Sequence, residues 1–288
     1  MHDSRELTCH LAPPGRSALS SGMTIDLDAY FARIGFNGPT TADERTLARL
    51  HEAHVGAIPF ENLDVIWRRP IGLDEASLAA KLVVGGRGGY CFEQNTLFKA
   101  VLDRLGFATH ILTARVRLGG TRIAPRTHML LRVETRTGAF LADVGFGATG
   151  LLRPLPMLPD IETNVPGAAY QLRHEAGLWV LEAAVGSAEF ADLYAFTLEP
   201  HYPVDIEMAN HYVATHPSSI FRHTVTAQLT RADRRVTLRG TTLTRQSGNA
   251  VSQQELVDEP AVLAALAAEF GLAFPAGTRL KPPDDANP

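Results

Sequence analysis

Two scarcities mark this sequence of 288 residues: it has two cysteines and, among 27 basic residues, three lysines. Cys9 and Cys91 are too few for a disulfide framework, which fits a reducing compartment and makes the cytoplasm the expected location. With Lys81, Lys99 and Lys281 the only lysines, an anionic ligand has to be met by arginine, backbone amides or helix termini. A formal net charge of -4 gives no basic footprint, so nucleic acid is not an expected partner. No apolar run approaches the length of a membrane span, which excludes a membrane partner of that kind. The Gly-x-x-x-x-Gly-Lys phosphate loop and internal repeats are also missing. Residues 1–23 carry charges and Pro13-Pro14 without the continuous apolar stretch of a secretory signal, and read as a disordered extension.

What is present is ordinary globular material, 45% hydrophobic and 20% charged, and long enough to bury a substantial core. Leu27, Tyr30, Phe31 and Ile34 form one helical face ended by Gly35. Thr41-Ala-Asp-Glu44 reads as a capping box for a second helix through Leu47, Leu50 and Val55. His51 and His54 lie one turn apart on it, but no acid or thiol stands at metal-ligand spacing, and they read as solvated helix histidines. Pro59-Phe-Glu-Asn-Leu-Asp64 reads as a loop, and Asp74 caps a third helix through Leu78 and Leu82. After Phe107 the pattern alternates, with strands expected over 110–118, 127–133, 139–145, 170–173, 178–184 and 193–198, the mark of an antiparallel sheet or small barrel. A connecting helix over Asp205–Thr215, two or three strands within 221–246 and a helix from Pro260 through Phe270 complete the chain. Ser252-Gln-Gln-Glu255 is a further candidate capping box, and Arg231, Arg234, Arg235 and Arg239 read as a solvated hairpin face.

The stretch Arg87-Gly-Gly-Tyr-Cys-Phe-Glu-Gln-Asn95 organises the chemistry. Leu97, Phe98, Val101, Leu102 and Leu105 continue it as an amphipathic helix stopped by Gly106, while Gly85, Gly86, Gly88 and Gly89 permit a tight turn before it. Cys91 then falls at the helix N-terminus, where unpaired N–H groups and the helix dipole favour a thiolate and offer donors to an oxyanion. The plainer reading is a small buried apolar residue.

A nucleophilic thiol needs a base, and the base an orienting group. His128 opens one strand of the 127–145 hairpin and Asp143 closes the other. If Val133 pairs with Gly138, the two stand directly opposite, Cβ atoms ~5 Å apart. A register shifted by two residues makes them diagonal on the same face, and a slip of one separates them. Turn chemistry leaves the register open, and nothing in the spacing brings Cys91 to this hairpin. Singly, His128 reads as a half-exposed strand residue and Asp143 as a turn former.

Taken together these segments resemble the arylamine N-acetyltransferase family, of bacterial type. Residues 87–95 are similar to its cysteine motif, 59–64 to its upstream loop, and Thr127-His128 and Asp143-Val-Gly-Phe-Gly147 to its histidine and aspartate segments. The resemblance covers roughly residues 24–275. It implies an α+β fold with a papain- or transglutaminase-like cysteine core: a helical domain over 24–108, an antiparallel β-barrel over 109–204, a connecting helix over 205–219 and an α/β lid over 220–280, followed by a disordered tail at 281–288. It implies Cys91, His128 and Asp143 as catalytic residues and acetyl-CoA as donor, with no metal. The implied acceptors are arylamines, arylhydrazines and N-hydroxyarylamines. By the same resemblance Phe60, Val116, Phe146 and Phe221 line the acceptor cleft, and Thr127 and Gly147 approach the coenzyme, with Gly145, Gly147 and Gly150 available near its pyrophosphate. The rival readings are an amide synthase of the same fold that uses no coenzyme A, and a non-catalytic binding module.

Overall fold

The computed structural model describes residues 25–280 apart from 119–122, 148, 187–188 and 249. Cys9 and the two expected disordered ends lie outside the described residues. The N-terminal portion is helical: α1 Leu27–Ile34, α2 Glu44–Ala57, α3 Leu63–Ile66, α4 Glu75–Leu78 (continued by a π-helical turn over Ala79–Val84) and α5 Cys91–Arg104. Asp26 caps α1 by accepting from the N–H groups of Asp28 and Ala29, and Gly35 ends it at φ +64°. The cap of α2 is Asp43, which accepts from Thr46 N–H at 2.8 Å, and not Thr41. Residues 59–64, expected as a loop, form strand β1 Phe60–Glu61 and the single turn of α3.

Strands follow in the order β2 Ala108–Val116, β3 Arg126–Thr135, β4 Gly138–Ala142, β5 Leu155–Pro156, β6 Thr163–Val165, β7 Ala168–Glu175, β8 Leu178–Val185 and β9 Ala191–Phe196. They pair antiparallel in the order β5-β4-β3-β2-β9-β8-β7-β6, a nearly closed, barrel-like sheet. Period-two alternation assigns the two faces. Leu112, Ala114, Leu130 and Leu141 point inward with Tyr170, Leu172, Leu181 and Phe196 from the opposite strands. Ile111, Met129, Leu131 and Val133 point outward onto Leu97, Phe98, Val101 and Leu102 of α5. The helix that begins at Cys91 is thereby pressed against the strand that begins near His128.

Helix α6 Pro203–Thr215 then leads to β10 Thr226–Thr230, β11 Arg235–Arg239, β12 Thr242–Ser247, β13 Ala250–Glu255 and α7 Glu259–Phe270. Leu229, Val236, Leu238 and Leu243 pack against Val262, Leu266 and Phe270 of α7. Strand β1 pairs with β10, Phe60 opposite Gln228, and so ties this second sheet to the helical portion. Ser252 to Glu255, expected to cap a helix, lie in β13; the cap of α7 is Asp258, whose carboxylate accepts from Ala261 N–H at 2.9 Å. Half of the arginine cluster is structural: Arg231 donates to the Gly56 carbonyl and Arg235 to the carbonyl of Gly150.

The largest departure concerns His51 and His54, which are fully buried on α2 and not solvated. They belong to the same helical face as Leu47, Leu50 and Val55, all buried. Their polar atoms are satisfied by partners distant in sequence: His51 meets Leu152 and Asp143, His54 meets Tyr30 and Gln94. Among the described residues no helix is long and apolar enough to cross a membrane.

The turn before α5 needs glycine for close approach. A Cβ on Gly88 would stand 2.0 Å from the Pro59 carbonyl oxygen. Gly88→Ala is expected to cost about 1–3 kcal/mol of overpacking, read from the urea midpoint. Gly56→Ala in α2, whose Cβ meets nothing nearer than 3.8 Å, is expected to leave the midpoint unchanged or raised. Equal losses in the two variants would contradict this close approach.

Candidate active site

Cys91 is the first residue of α5, after an extended Tyr90 at φ −97°, ψ −169°. Glu93 fixes this entry by accepting the Tyr90 N–H at 3.1 Å. Helix geometry leaves the N–H groups of the first turn without intrahelical acceptors, so they surround the thiol as donors. Cys91 is 5% exposed, its Sγ donates to the Thr127 carbonyl at 3.8 Å, and the thiol stands near enough to the His128 ring to favour its charged form. Behind it, a Cβ on Gly145 would lie 2.7 Å from Cys91 Cα. Gly145 is therefore the residue that lets the Asp143 segment touch the backbone of Cys91, rather than an open cradle for a pyrophosphate.

The β3–β4 ladder pairs Thr135 with Gly138 and Leu131 with Ala142, the register in which His128 and Asp143 are diagonal. Asp143 stands just beyond the last pair, and the two side chains meet at 2.7 Å, His128 Nε2 to Asp143 Oδ2. Both are buried. The carboxylate also accepts from Tyr194 Oη at 2.9 Å, Asn95 Nδ2 at 3.1 Å and its own neighbour Gly145 N–H at 3.0 Å. Burial by itself pushes the Asp143 carboxyl up, but the His128 charge and these hydrogen bonds overcome it and hold the acid below its ordinary range. Burial likewise pulls the His128 imidazolium down, and Asp143 together with the Cys91 contact reverses this, raising its pKa to about 10. With Nε2 committed to Asp143, Nδ1 is the ring nitrogen left for the thiol.

Asn95, part of the cysteine motif but given no role by the sequence pattern, lies one turn beyond Cys91 on the same helix face. Its Nδ2 donates to the Met129 carbonyl at 2.8 Å and to Asp143, and its Oδ1 accepts from Val144 N–H at 3.1 Å. It joins the helix of the cysteine to the strand of the histidine and the segment of the aspartate; the i, i+4 spacing from Cys91 was its available signal. Tyr194 of β9 carried no such signal. Besides its bond to Asp143, its ring lies 4.9 Å from that of His128.

A second polar group anchors the same helix. Arg87 bonds Glu61 (Nε–Oε1 2.9 Å) and reaches Asp64 at 3.3 Å, while Lys81 bridges Asp64 and Glu93, each at 2.6 Å. These contacts explain why the 59–64 and 87–93 motifs occur together: their acids and bases neutralise one another under the helix start. Burial pushes Glu93 up to about 7 despite the opposing Lys81 charge.

The expected substrate residues are partly gathered. Phe60 and Phe221 rings lie 5.9 Å apart, and Phe146 lies 5.0 Å from His128. A Cβ at Gly147 would stand 3.3 Å from the Phe60 ring, and Gly147 has φ +71°. Val116 is placed opposite Tyr194 at the end of β2. Thr127 turns its carbonyl to the thiol, and its hydroxyl donates to Pro125 O at 3.4 Å.

A thiol at a helix N-terminus, presented to a sheet-borne imidazole and carboxylate, defines a cysteine-centred α+β protein. The sequence profile of the N-acetyltransferase family matches residues 43–278. Arylamine N-acetyltransferase of Escherichia coli is 39% identical over 253 residues, 87% of this chain and 90% of its own. The Salmonella typhimurium protein named arylamine N-acetyltransferase / N-hydroxyarylamine O-acetyltransferase is 38% identical with the same coverage of both chains. The structure of Mycobacterium marinum arylamine N-acetyltransferase in complex with CoA superposes with a TM-score of 0.81 at 33% identity, covering 85% of this chain and 92% of that one. This chain belongs to the arylamine N-acetyltransferase family.

Because the His128 pKa is raised from 6.5 to about 10 on folding, its charged ring stabilises the fold in full below pH 6.5, and that contribution is lost as pH rises through 10. The difference in urea unfolding free energy between the wild type and His128→Gln is expected to shrink steadily over that window. A difference that stays constant would argue against the buried ion pair.

Proposed function

We propose that this protein transfers an acetyl group from acetyl-CoA to arylamines and arylhydrazines, and to the oxygen of N-hydroxyarylamines, by way of a thioester on Cys91. The observation that carries this reading is the Cys91–His128–Asp143 chain of contacts at the start of α5. The names of the Escherichia coli and Salmonella typhimurium relatives and the CoA complex of the Mycobacterium marinum relative support the donor and acceptor classes.

In the first half-reaction the Cys91 thiolate attacks the thioester carbonyl carbon, and first-turn N–H groups of α5 stabilise the oxyanion. Collapse breaks the bond from carbon to the coenzyme sulfur, and His128 Nδ1 delivers its proton to that sulfur. In the second half-reaction the amine lone pair attacks acetyl-Cys91, neutral His128 accepts the amine proton, and the Cys91 thiolate leaves. The pair Cys91 thiolate and His128 imidazolium is regenerated. Asp143 stays ionised throughout, holding Nε2–H and so directing Nδ1 at the sulfur. Thioester exchange is nearly level in free energy, and amide formation drives the cycle. An aromatic amine is mostly neutral at pH 7 and needs no prior deprotonation.

In this reading residues 24–108 deliver the nucleophile, residues 109–204 the base and its carboxylate, and residues 220–280 cover the cleft. Phe60, Phe146 and Phe221 offer ring faces to a planar acceptor and Val116 an apolar flank, while Thr127 and Gly147 adjoin the coenzyme. A nucleophilic thiol works in a reducing compartment, and we place the protein in the cytoplasm on that ground.

Incubation with acetyl-CoA followed by peptide mass analysis tests the mechanism. One acetyl group is expected on the Cys91 peptide, discharged by an added arylamine, with Cys91→Ala losing activity by about a thousandfold or more. Turnover without any acetylated Cys91, or full activity of Cys91→Ala, would overturn it.

A further inference from the structure

The β3–β4 ladder ends at the pair Leu131–Ala142, one residue short of Asp143. The N–H groups that follow therefore need partners from outside the sheet. Val144 finds Asn95 Oδ1 and Gly145 finds the Asp143 carboxylate, but the amide of Asp143 itself donates to His51 Nε2, at 3.1 Å. The other nitrogen of His51, Nδ1, lies 3.1 Å from the Leu152 carbonyl. One ring thus holds both ends of the segment from Asp143 to Leu152, which includes Gly145, Phe146 and Gly147. These two bonds fix the tautomer: a proton on Nδ1 to donate to Leu152, none on Nε2, which accepts. A charged ring has no acceptor to offer. The Phe98 ring meets His51 edge-on at 5.8 Å and restricts its rotation. Burial pulls the His51 pKa down to about 4, so the ring is neutral near pH 7. The titratable groups acting on it are Asp143 from the segment after β4 and Glu52 and His54 from its own helix.

We propose that His51 is a positioning residue for the acetyl transfer, its neutral Nδ1–H imidazole holding the Asp143 backbone at the place from which the carboxylate reaches His128. This rests on the reaction proposed above, but it concerns α2, a helix that contributes no group to the reacting atoms. Without His51, the Asp143 amide loses its partner at the point where the strand ladder has already ended. The carboxylate then shifts relative to His128 Nε2, and the charge that keeps His128 protonated beside the thiol weakens.

Two variants and one spectroscopic measurement test it. His51→Leu removes both bonds while filling the apolar stripe; His51→Gln keeps an acceptor and a donor. His51→Leu is expected to lower kcat about tenfold to a hundredfold with little change in the KM for acetyl-CoA, and to slow alkylation of Cys91 by iodoacetamide about tenfold at pH 7, altering its pH profile. His51→Gln is expected to restore most of both. The alkylation arm uses no acetyl-CoA, so it reports on the positioning even where acetyl transfer itself is refuted. A folded His51→Leu with the wild-type alkylation profile overturns the proposal. Should His51→Leu not fold, the ring nitrogen shifts of the unmutated protein decide: neutral with the proton on Nδ1 at pH 7 supports it, and a charged ring or an Nε2–H tautomer overturns it.

Discussion

An ionised carboxylate in the interior of a protein costs several kcal/mol in lost hydration unless other groups replace the water. At Asp143 that replacement is built from His128, Tyr194, Asn95 and the Gly145 amide, together drawn from two strands, a helix and the carboxylate's own turn. The rest of the site depends on this one charge. It holds the imidazole by Nε2, keeps the ring protonated, and thereby supplies the thiol with a cationic neighbour. Removing a donor at any of the four points leaves the same buried charge less compensated, so the surrounding fold is constrained by electrostatics as much as by packing.

Two kinds of contact bring the cysteine to that pair. One is apolar: Leu97, Phe98, Val101 and Leu102 lay α5 along the outer face of β2 and β3. The other is a close approach of backbones, in which Gly145 meets Cys91 and Gly88 meets Pro59 without intervening side chains. The apolar contacts set the position of the helix, and the glycines set the distance. The Glu61–Arg87 and Asp64–Lys81–Glu93 pairs then hold the helix start from below, neutralising charges that would otherwise lie unpaired beneath Cys91.

The buried histidines show where reasoning along one chain segment fails. The sequence pattern leaves His51 and His54 as solvated helix residues, since no ligand set stands near them in the chain. Their partners come from Leu152, Asp143, Tyr30 and Gln94, none of which a local pattern connects to α2. Burial of a polar ring is decided by whether distant donors and acceptors reach it, and folding alone determines that. The same holds for Tyr194, 51 residues beyond the carboxylate it serves. Residues 252–255 depart from their capping pattern for a related reason: strand pairing with β12 satisfies backbone groups that the local motif would use for a helix.

Periodicity and punctuation determined the longer helices and strands, the helix beginning at Cys91 and the hairpin carrying His128 and Asp143, because those signals reside in neighbouring residues and in the allowed φ, ψ of glycine. The motifs at 59–64, 87–95, 127–128 and 143–147 carried the family. Only the tertiary structure decided the hairpin register, the juxtaposition of thiol and imidazole, and the partners of every buried polar group. Those outcomes depend on contacts between residues far apart in the chain, whose free energies are settled jointly when the core closes.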